Sequence, residues 1–375
     1  MKQPEKENWV KLKCFGSLIL LLISISILFA KESDHSYILK NANTAKIDIT
    51  QQDTITTLTG DVNLIYNGIE FFADNGQVFQ KDRIVKLFGN VRAIDDTLEA
   101  GAQKAIYFHA DQNLQLENDA YFIENSDTSQ LRKLTARFVE YNKAKQKVTA
   151  RNDIIADDFL EEITCECGRF IYDLETEYGL ARNEPVLTIH RDNEIKIYGK
   201  QMELFAKDKK FTATYDVKVE MEDSYATSNF LIFFDDEKKA VLLGDPKFSS
   251  EVSNAYADEF QIYFEEEAIR ELVLVNNAVI HFREEASMGK ENSLFAEKVV
   301  IKIEKDKLNY MYAKKVSKSY FEQQDNSNEE QLINKLKTKD LEVFFDQEEK
   351  IRMIIAENDI NGRYIFSSSE EILKK

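Results

Sequence analysis

The chain has 375 residues, 43% hydrophobic and 11% aromatic, which is enough to bury a core and too apolar for a disordered protein. A formal charge of −18 excludes general binding to a phosphate backbone, which needs a basic face, so no nucleic-acid partner is expected. Three cysteines exclude a disulfide-dense scaffold, and three prolines exclude a linker-rich chain.

The chain opens with Lys2, Lys6, Lys11 and Lys13, followed by an uncharged apolar run from Cys14 to Ala30. Basic before apolar is the order of a secretory signal or an N-terminal membrane anchor, with the remainder exported. Leu28 is large where a cleavage site wants a small residue, which favours an uncleaved anchor helix over a cleaved signal. Cys14 precedes the apolar run and so does not fit a lipoprotein signal. A buried core helix is the weaker alternative, because nothing else in the chain is helical enough to pack with it. The exported part carries −20.

Beyond residue 40 the chain reads as short alternating segments rich in Val, Ile, Phe and Tyr, such as VNLIYNG and IKIYGKQMELF. Period two with β-branched and aromatic enrichment predicts strands. The stretch EFQIYFEEEAIRELVLV, which has a rival helical reading, is assigned to strand because its aromatics alternate. Turn-like triplets recur: GDV at Gly60, GNV at Gly89, NDA at Asn118, NDI at Asn152, NEP at Asn183, YDV at Tyr215, GDP at Gly244, NNA at Asn276 and NDI at Asn358. The first seven intervals lie between 29 and 34 residues; the last is 82 and holds two units plus a polar insert, Glu322–Gln331, expected as a solvated loop. Gly or Asn followed by Asp or Asn is what a tight turn needs, since these residues accept positive φ.

A second column runs in step with the first. Small residues stand at Ala73, Ala102, Ala136, Cys167, Gly199, Ala226, Ala257, Ala296 and Thr338, and an apolar residue follows each five positions later. The parity switch between the small residue and the later apolar ones predicts a bulge or corner. A unit of about 30 residues cannot bury its own apolar face, so neighbouring units must stack. The expected fold is all-β: an elongated open β-jellyroll or β-solenoid of about nine repeats behind one N-terminal apolar helix, with a strand edge open at each end. Those edges invite end-to-end pairing.

Nothing in the sequence points to catalysis or a cofactor. His35, His109, His190 and His281 are scattered over four units without metal-ligand spacing. Cys165 and Cys167 fall in inward columns and read first as two small core side chains, with a strained disulfide or oxidisable pair as the alternative. Asp157/Asp158 and Asp235/Asp236 could serve glycoside hydrolysis, but among 67 acidic residues such pairs arise by chance. What remains is the interior, where large apolar residues repeat at fixed columns. A packed core and an open groove for acyl chains share that pattern. The candidate groove lining is Val62, Leu64, Phe71, Val78, Tyr107, Leu134, Val139, Tyr141, Phe170, Tyr172, Ile197, Met202 and Leu204.

The segment LTGDVNLIYNGIEFFADNGQVFQKDRIVKLFGNV at Leu58–Val91 resembles the OstA-like (LptA/LptC) family of periplasmic lipopolysaccharide-transport proteins. SNAYADEFQIYF at Ser253–Phe264 and LFAEKVVIKI at Leu294–Ile303 repeat its Ala-acidic-apolar core, so the resemblance covers about residues 40–365. It implies a jellyroll whose interior takes the acyl chains of lipid A and whose edges join other OstA-like proteins, bridging an inner-membrane transporter to an outer-membrane assembly protein. An uncleaved anchor would resemble LptC and a cleaved signal LptA, giving a periplasmic protein, tethered or soluble. The length is near twice the usual single module, and no segment resembles the barrel of LptD. The implied organisation is a signal or anchor over 1–30, an OstA-like domain over 31–365, as one body or as modules of about 40–214 and 215–365, and a tail over 366–375. Phosphates on lipid A would be repelled by the acidic body, so the head group is expected outside while the interior supplies affinity at about 0.8 kcal/mol per buried CH₂. The leading expectation is a non-enzymatic carrier and bridge for lipopolysaccharide. The alternatives are a structural β-solenoid with a dry core and a polysaccharide-active β-helix enzyme.

Overall fold

The computed structural model describes residues 37–66, 69–94, 98–125, 130–160, 162–190, 194–251, 253–265, 268–282, 292–304, 307–325, 330–347 and 351–367. The expected N-terminal helix and Cys14 lie outside them. Among the described residues every regular element is a β-strand.

The described residues fall into two compact units divided between Ala213 and Thr214. The first holds β1 (Tyr37–Asn41), β2 (Thr44–Ile49), β3 (Thr54–Tyr66), β4 (Ile69–Phe79), β5 (Ile84–Ile94), β6 (Leu98–Phe108) and β7 (Asn113–Asn125). It continues with β8 (Gln130–Asn142), β9 (Lys147–Asp158), β10 (Ile163–Asp173), β11 (Tyr178–Arg182), β12 (Val186–Ile189), β13 (Ile195–Tyr198) and β14 (Gln201–Phe205). The division falls inside β15 (Lys210–Met221). The second unit holds β16 (Ser224–Phe234), β17 (Lys239–Leu243), β18 (Lys247–Ser250), β19 (Ser253–Tyr256), β20 (Glu259–Glu265) and β21 (Ala268–Phe282). It ends with β22 (Asn292–Glu304), β23 (Lys307–Asp325), β24 (Glu330–Phe345), β25 (Ile351–Glu357) and β26 (Asn361–Ser367). Within each unit the strands pair antiparallel, largely with their sequence neighbours.

The recurrent triplets are corners inside strands, not the hairpin turns expected from sequence. Two successive residues adopt positive φ at Gly60/Asp61, Gly89/Asn90, Asn118/Asp119, Asn152/Asp153, Asn183/Glu184, Tyr215/Asp216, Gly244/Asp245, Asn276/Asn277 and Asn358/Asp359. Each pair drops out of the ladder. Thr59 pairs with Asn75 and Val62 with Ala73, so Gly60 and Asp61 stand against Asp74 alone, a two-residue bulge that redirects the strand. Pro185 and Pro246, third in their triplets, donate no N–H, and there the strand breaks outright, into β11/β12 and β17/β18. The 82-residue interval is divided by a lone positive φ at Lys315 in β23.

The corners are tied to their neighbours by a repeated backbone bond. Asn43 N–H donates to the Gly60 carbonyl at 2.9 Å, Gly168 to Asn183 at 3.0 Å, Asn229 to Gly244 at 3.2 Å, Asp258 to Asn276 at 3.1 Å and Lys339 to Asn358 at 2.9 Å. Corner ion pairs add to this, with Arg137 on Asp153 at 2.5 Å and Lys339 on Asp359 at 2.6 Å.

The hairpin turns lie elsewhere, at Gln80–Arg83, His109–Gln112, Lys143–Gln146, Leu174–Glu177, Ala206–Lys209 and Asp235–Lys238. Four of them close with a bond from the fourth N–H to the first carbonyl, as in Gln146 to Lys143 at 3.1 Å, which is the turn-based loop of a tight hairpin.

The predicted parity switch is present: Leu134 and Ala136 are buried, then Val139 and Tyr141. In one unit the sequence register was two residues off. Ser228, not Ala226, occupies the small position, because the corner residue beside it is Asn229, bonded to Gly244. The insert Glu322–Gln331 is strand at both its described ends: Glu322 pairs with Ile333 and Asp325 with Glu330, since the backbone ladder does not need apolar side chains to continue, and residues 326–329 lie outside the described residues. The described residues of the helix-or-strand stretch Glu259–Val275, in β20 and β21, are strand, as expected. β26 runs to Ser367, two residues into the expected tail.

A β-branched side chain should be poorly tolerated in the corner column. Gly89 has φ +74°, where L side chains are strained by about 1–2 kcal/mol. Gly89→Val should therefore lower unfolding free energy in urea by at least that amount, and Gly89→Asn by less. Equal losses would contradict a left-handed corner.

Candidate functional site

Antiparallel register assembles the candidate residues of the first unit into rows, because directly opposed residues share a face. Val78, Val85, Tyr107, Leu114, Tyr141, Val148, Tyr172, Gly179 and Leu204 form one continuous row. Beside it run Leu58, Gly76, Leu87, Ala105, Leu116, Val139, Ala150, Phe170, Ala181 and Met202. Across the corner a third row reads Leu64, Phe71, Ala93, Ala100, Phe122, Leu134, Ala156, Cys165, Leu187 and Ile197. Val62 pairs with Ala73 nearer the corner. Large residues oppose small ones in many steps, which lets the two halves of a bent sheet fill one interior.

Of the thirteen candidates, all but Tyr107 and Leu204 are buried; those two are half-buried. The rows also hold residues that the sequence reading passed over, Phe122 and Leu58 among them, both fully buried. Their signal is the period-two alternation of the strands that carry the triplets.

At β9–β15 the interior is not filled. A cleft of about 50 Å³ is lined by Ile163, Cys165 and Leu187 from one side of the corners and by Phe170, Gly179, Ala181, Met202 and Leu204 from the other, with Asp158, Glu203 and Phe211. Phe170, Met202 and Leu204 are thus brought together, while Val62, Leu64, Phe71, Val78, Tyr107, Leu134, Val139, Tyr141, Tyr172 and Ile197 lie outside this cleft. Tyr172 is fully buried and its hydroxyl has no hydrogen-bond partner among the described residues. Burial pushes its phenol far up. Burial likewise pushes Tyr141 up to about 12, opposed by the Gln146 side chain.

An ion triad that no sequence signal announced stands at the rim of the cleft. Arg132 Nε donates to Asp158 Oδ2 at 3.0 Å and its Nη1 to Glu124 Oε2 at 2.8 Å, with Arg132 and Asp158 side chains only 5% and 1% exposed. Leu160 N–H completes the shell of Asp158 at 3.0 Å. Buried charges persist only when paired in this way.

The other chemistry-bearing residues are dispersed. Asp157 and Asp158 point to opposite faces, Asp157 accepting from Thr164 Oγ1 at 2.9 Å, so they form no carboxylate pair. Asp235 binds Lys238 at 2.5 Å within a turn. Cys165 and Cys167 are free thiols, both buried, as the core reading expected. A side-chain hydrogen bond with Cys167, then burial, raises the Cys165 thiol well above its ordinary range. His190 lies at 2.9 Å from Thr164 Oγ1 and His281 packs edge-on against Phe295. His35 lies outside the described residues. Among the described residues no cluster of His, Cys, Asp and Glu could hold a metal.

The apolar face reaches the edges. Among the described residues β1 and β2 pair only with β3, and Leu39 opposes Leu64, Ala45 opposes Leu58 and Ile47 opposes Thr56. Leu39, Ile47 and Ile49 therefore continue the interior face but are 37%, 62% and 81% exposed. In the second unit β25 and β26 pair only with β24, and Tyr364, opposite buried Asn334, is 52% exposed.

These features define a class: a bent antiparallel sheet with an apolar interior and uncovered edge strands. Residues 41–147 match the family described as LptA/(LptD N-terminal domain) LPS transport protein, which upholds the OstA-like resemblance over that segment. Among solved structures the chain is similar to LptH of Pseudomonas aeruginosa, the LptA homologous periplasmic component of a lipopolysaccharide transport device. The two are 14% identical over 30% of this chain and 80% of that one, with a TM-score of 0.26. No curated protein sequence matches.

Two measurements check this geometry. Arg132→Met leaves Asp158 and Glu124 without their cation and should cost about 3–5 kcal/mol of stability in denaturant; a loss under about 1 kcal/mol would contradict a buried triad. In an alkaline titration followed at 295 nm, Tyr121, Tyr141, Tyr178 and Tyr312, all held up to about 12, should ionise well after free tyrosine, near 10. Because their folded values are raised, the stability they add is complete below about pH 10 and is lost as pH rises toward about 12.

Proposed function

We propose that this protein is a non-enzymatic periplasmic carrier and bridge for lipopolysaccharide, holding lipid A acyl chains between the two halves of its bent sheet. The observation that carries this reading is the cleft lined from both sides of the corners by Cys165, Leu187, Phe170, Met202 and Leu204. Its lining is almost wholly apolar, which suits an acyl chain and offers nothing to a sugar. The thirteen candidate residues are the proposed lining, with the cleft as the point of entry or widening.

The uncovered edges support the bridging half of the proposal. The edge strands β1 and β2, which carry Leu39, Ile47 and Ile49 on the interior face, are completed by another sheet edge of the same kind, which pairs their outer backbone edge and covers the apolar face in one step. The partners are other OstA-like proteins, with an inner-membrane transporter supplying energy and an outer-membrane assembly protein receiving the lipid. Residues 1–30 would export the chain and either leave it or tether it. The division inside β15 is in keeping with two modules of about 40–214 and 215–365.

The full burial of Phe122, Tyr141 and Tyr172 favours a second reading, a structural β-solenoid with a packed core and no lipid. In-cell photo-crosslinking separates the two. A photoreactive phenylalanine is placed at half-buried Leu204 in the cleft and, separately, at exposed Asp208 in the next turn. The carrier reading expects a lipopolysaccharide adduct at Leu204 alone. No adduct at Leu204 in folded, exported protein would establish the packed core.

A further inference from the structure

One cross-strand row on the outer face breaks the charge pattern of the molecule. Immediately past the corners, Lys104 opposes Glu117 and Glu117 opposes Phe138. Phe138 then opposes Arg151, Arg151 opposes Arg169, Arg169 opposes Arg182 and Arg182 opposes Gln201. Lys104 and Glu117 close an ion pair at 2.8 Å, as expected where acidic residues outnumber basic ones 67 to 49. Past Phe138 the next three positions are all arginine. Like charges directly opposite one another destabilise a sheet; elsewhere such pairs stand singly, as at Lys298/Lys314 and Lys335/Arg363, whereas here two like-charge steps follow one another.

The three guanidinium groups are exposed and incompletely neutralised. Arg151 stacks over the Phe138 ring at 5.2 Å and reaches Glu140 only at 4.0 Å. Arg182 Nε donates to Gln201 Oε1 at 2.7 Å, a neutral acceptor. Arg169, in the middle, has no ion-pair partner among the described residues. Asp153, the acid nearest in sequence to Arg151, is held by Arg137 instead.

The row borders an open concavity of about 320 Å³ lined by Arg151, Asn152, Gly168, Arg169 and Asn183. Asn152 and Asn183 are left-handed corner residues whose amides add neutral donors beside the cations. Gly168 keeps the floor open: a Cβ there would lie 2.8 Å from Asn183 Cβ. The lining holds no carboxylate.

We propose that Arg151, Arg169 and Arg182 form an anion site for phosphoryl groups, lying on the outer face at the corners of the first unit and distinct from the apolar interior. Adjacent strands set the arginines about 5 Å apart and the row about 10 Å long, a span that suits a ligand with two or more phosphoryl groups over a single carboxylate. The anion relieves the repulsion within the row, so binding and stability are coupled. The site stands whether or not the interior carries lipid.

The test titrates the full-length protein with sodium tripolyphosphate and, separately, with vesicles of phosphatidylglycerol in phosphatidylcholine. Wild type is compared with Arg169→Gln and with Arg352→Gln, an exposed arginine in β25 that makes the same change in net charge. Saturable binding that weakens about tenfold or more in Arg169→Gln and less than about twofold in Arg352→Gln supports the site. Arg169→Gln should also be no less stable than wild type without ligand, and should lose the rise in melting temperature that tripolyphosphate gives. A response to tripolyphosphate assigns soluble phosphoryl groups, and a response to vesicles alone assigns a lipid headgroup. Equal binding by the two variants, or none by wild type to either probe, overturns the proposal.

Discussion

The left-handed residue pair at each corner is the constraint on which the rest of this structure depends. A strand that runs straight buries one face along its whole length and needs a second sheet to cover it. Two successive positive φ values bend the strand part-way along, so its two halves can turn the same face toward a common interior. Gly, Asn and Asp supply this conformation at low cost because glycine lacks Cβ and the short amides and carboxylates bond their own backbone. Tyr215 and Glu184 hold the same conformation without that help and are the exceptions among the corner pairs. Five corner carbonyls accept from the segment of chain just before them, as Asn183 does from Gly168, so one bend is tied to the position of its neighbour.

From the bend follows the interior. Rows such as Leu64–Phe71–Ala93 and Val139–Ala150–Phe170 exist because every strand turns at the same level, keeping opposed residues in register on both sides. Large opposite small fills most of the space. Where Gly179 and Ala181 take the small positions against Leu204 and Met202, the filling fails and a cleft remains. The Arg132–Asp158–Glu124 triad closes its rim with charges that would be untenable unpaired.

The sequence showed the repeat, the strand content and most of the buried columns, because apolar alternation and the Gly/Asn-Asp triplets are local signals. It misled where one local signal serves two geometries. GDV and NDI are suited to a hairpin turn and equally to a bulged corner, and only pairing across strands separates them. The true hairpin turns, such as Lys143–Gln146 and Ala206–Lys209, contain no glycine and read as ordinary charged surface. The polarity of Glu322–Gln331 reads as a loop, yet the ladder continues into both its described ends. The ion triad and the arginine row were illegible for a different reason: their members are 8 to 34 residues apart or separated by whole strands, and register alone brings them together.

A shared interior facing both halves of the bent sheet is the central claim, and acyl-chain contact tests it directly. Isoleucine, leucine and valine methyls would be labelled and their NMR signals recorded with a spin-labelled fatty acyl chain. The account predicts selective broadening of Leu187 and Ile197 on one side of the corners and Val139 and Leu204 on the other, with outward Ile171 and Leu180 unaffected. Broadening confined to the outward methyls, or none at saturating probe, would contradict it.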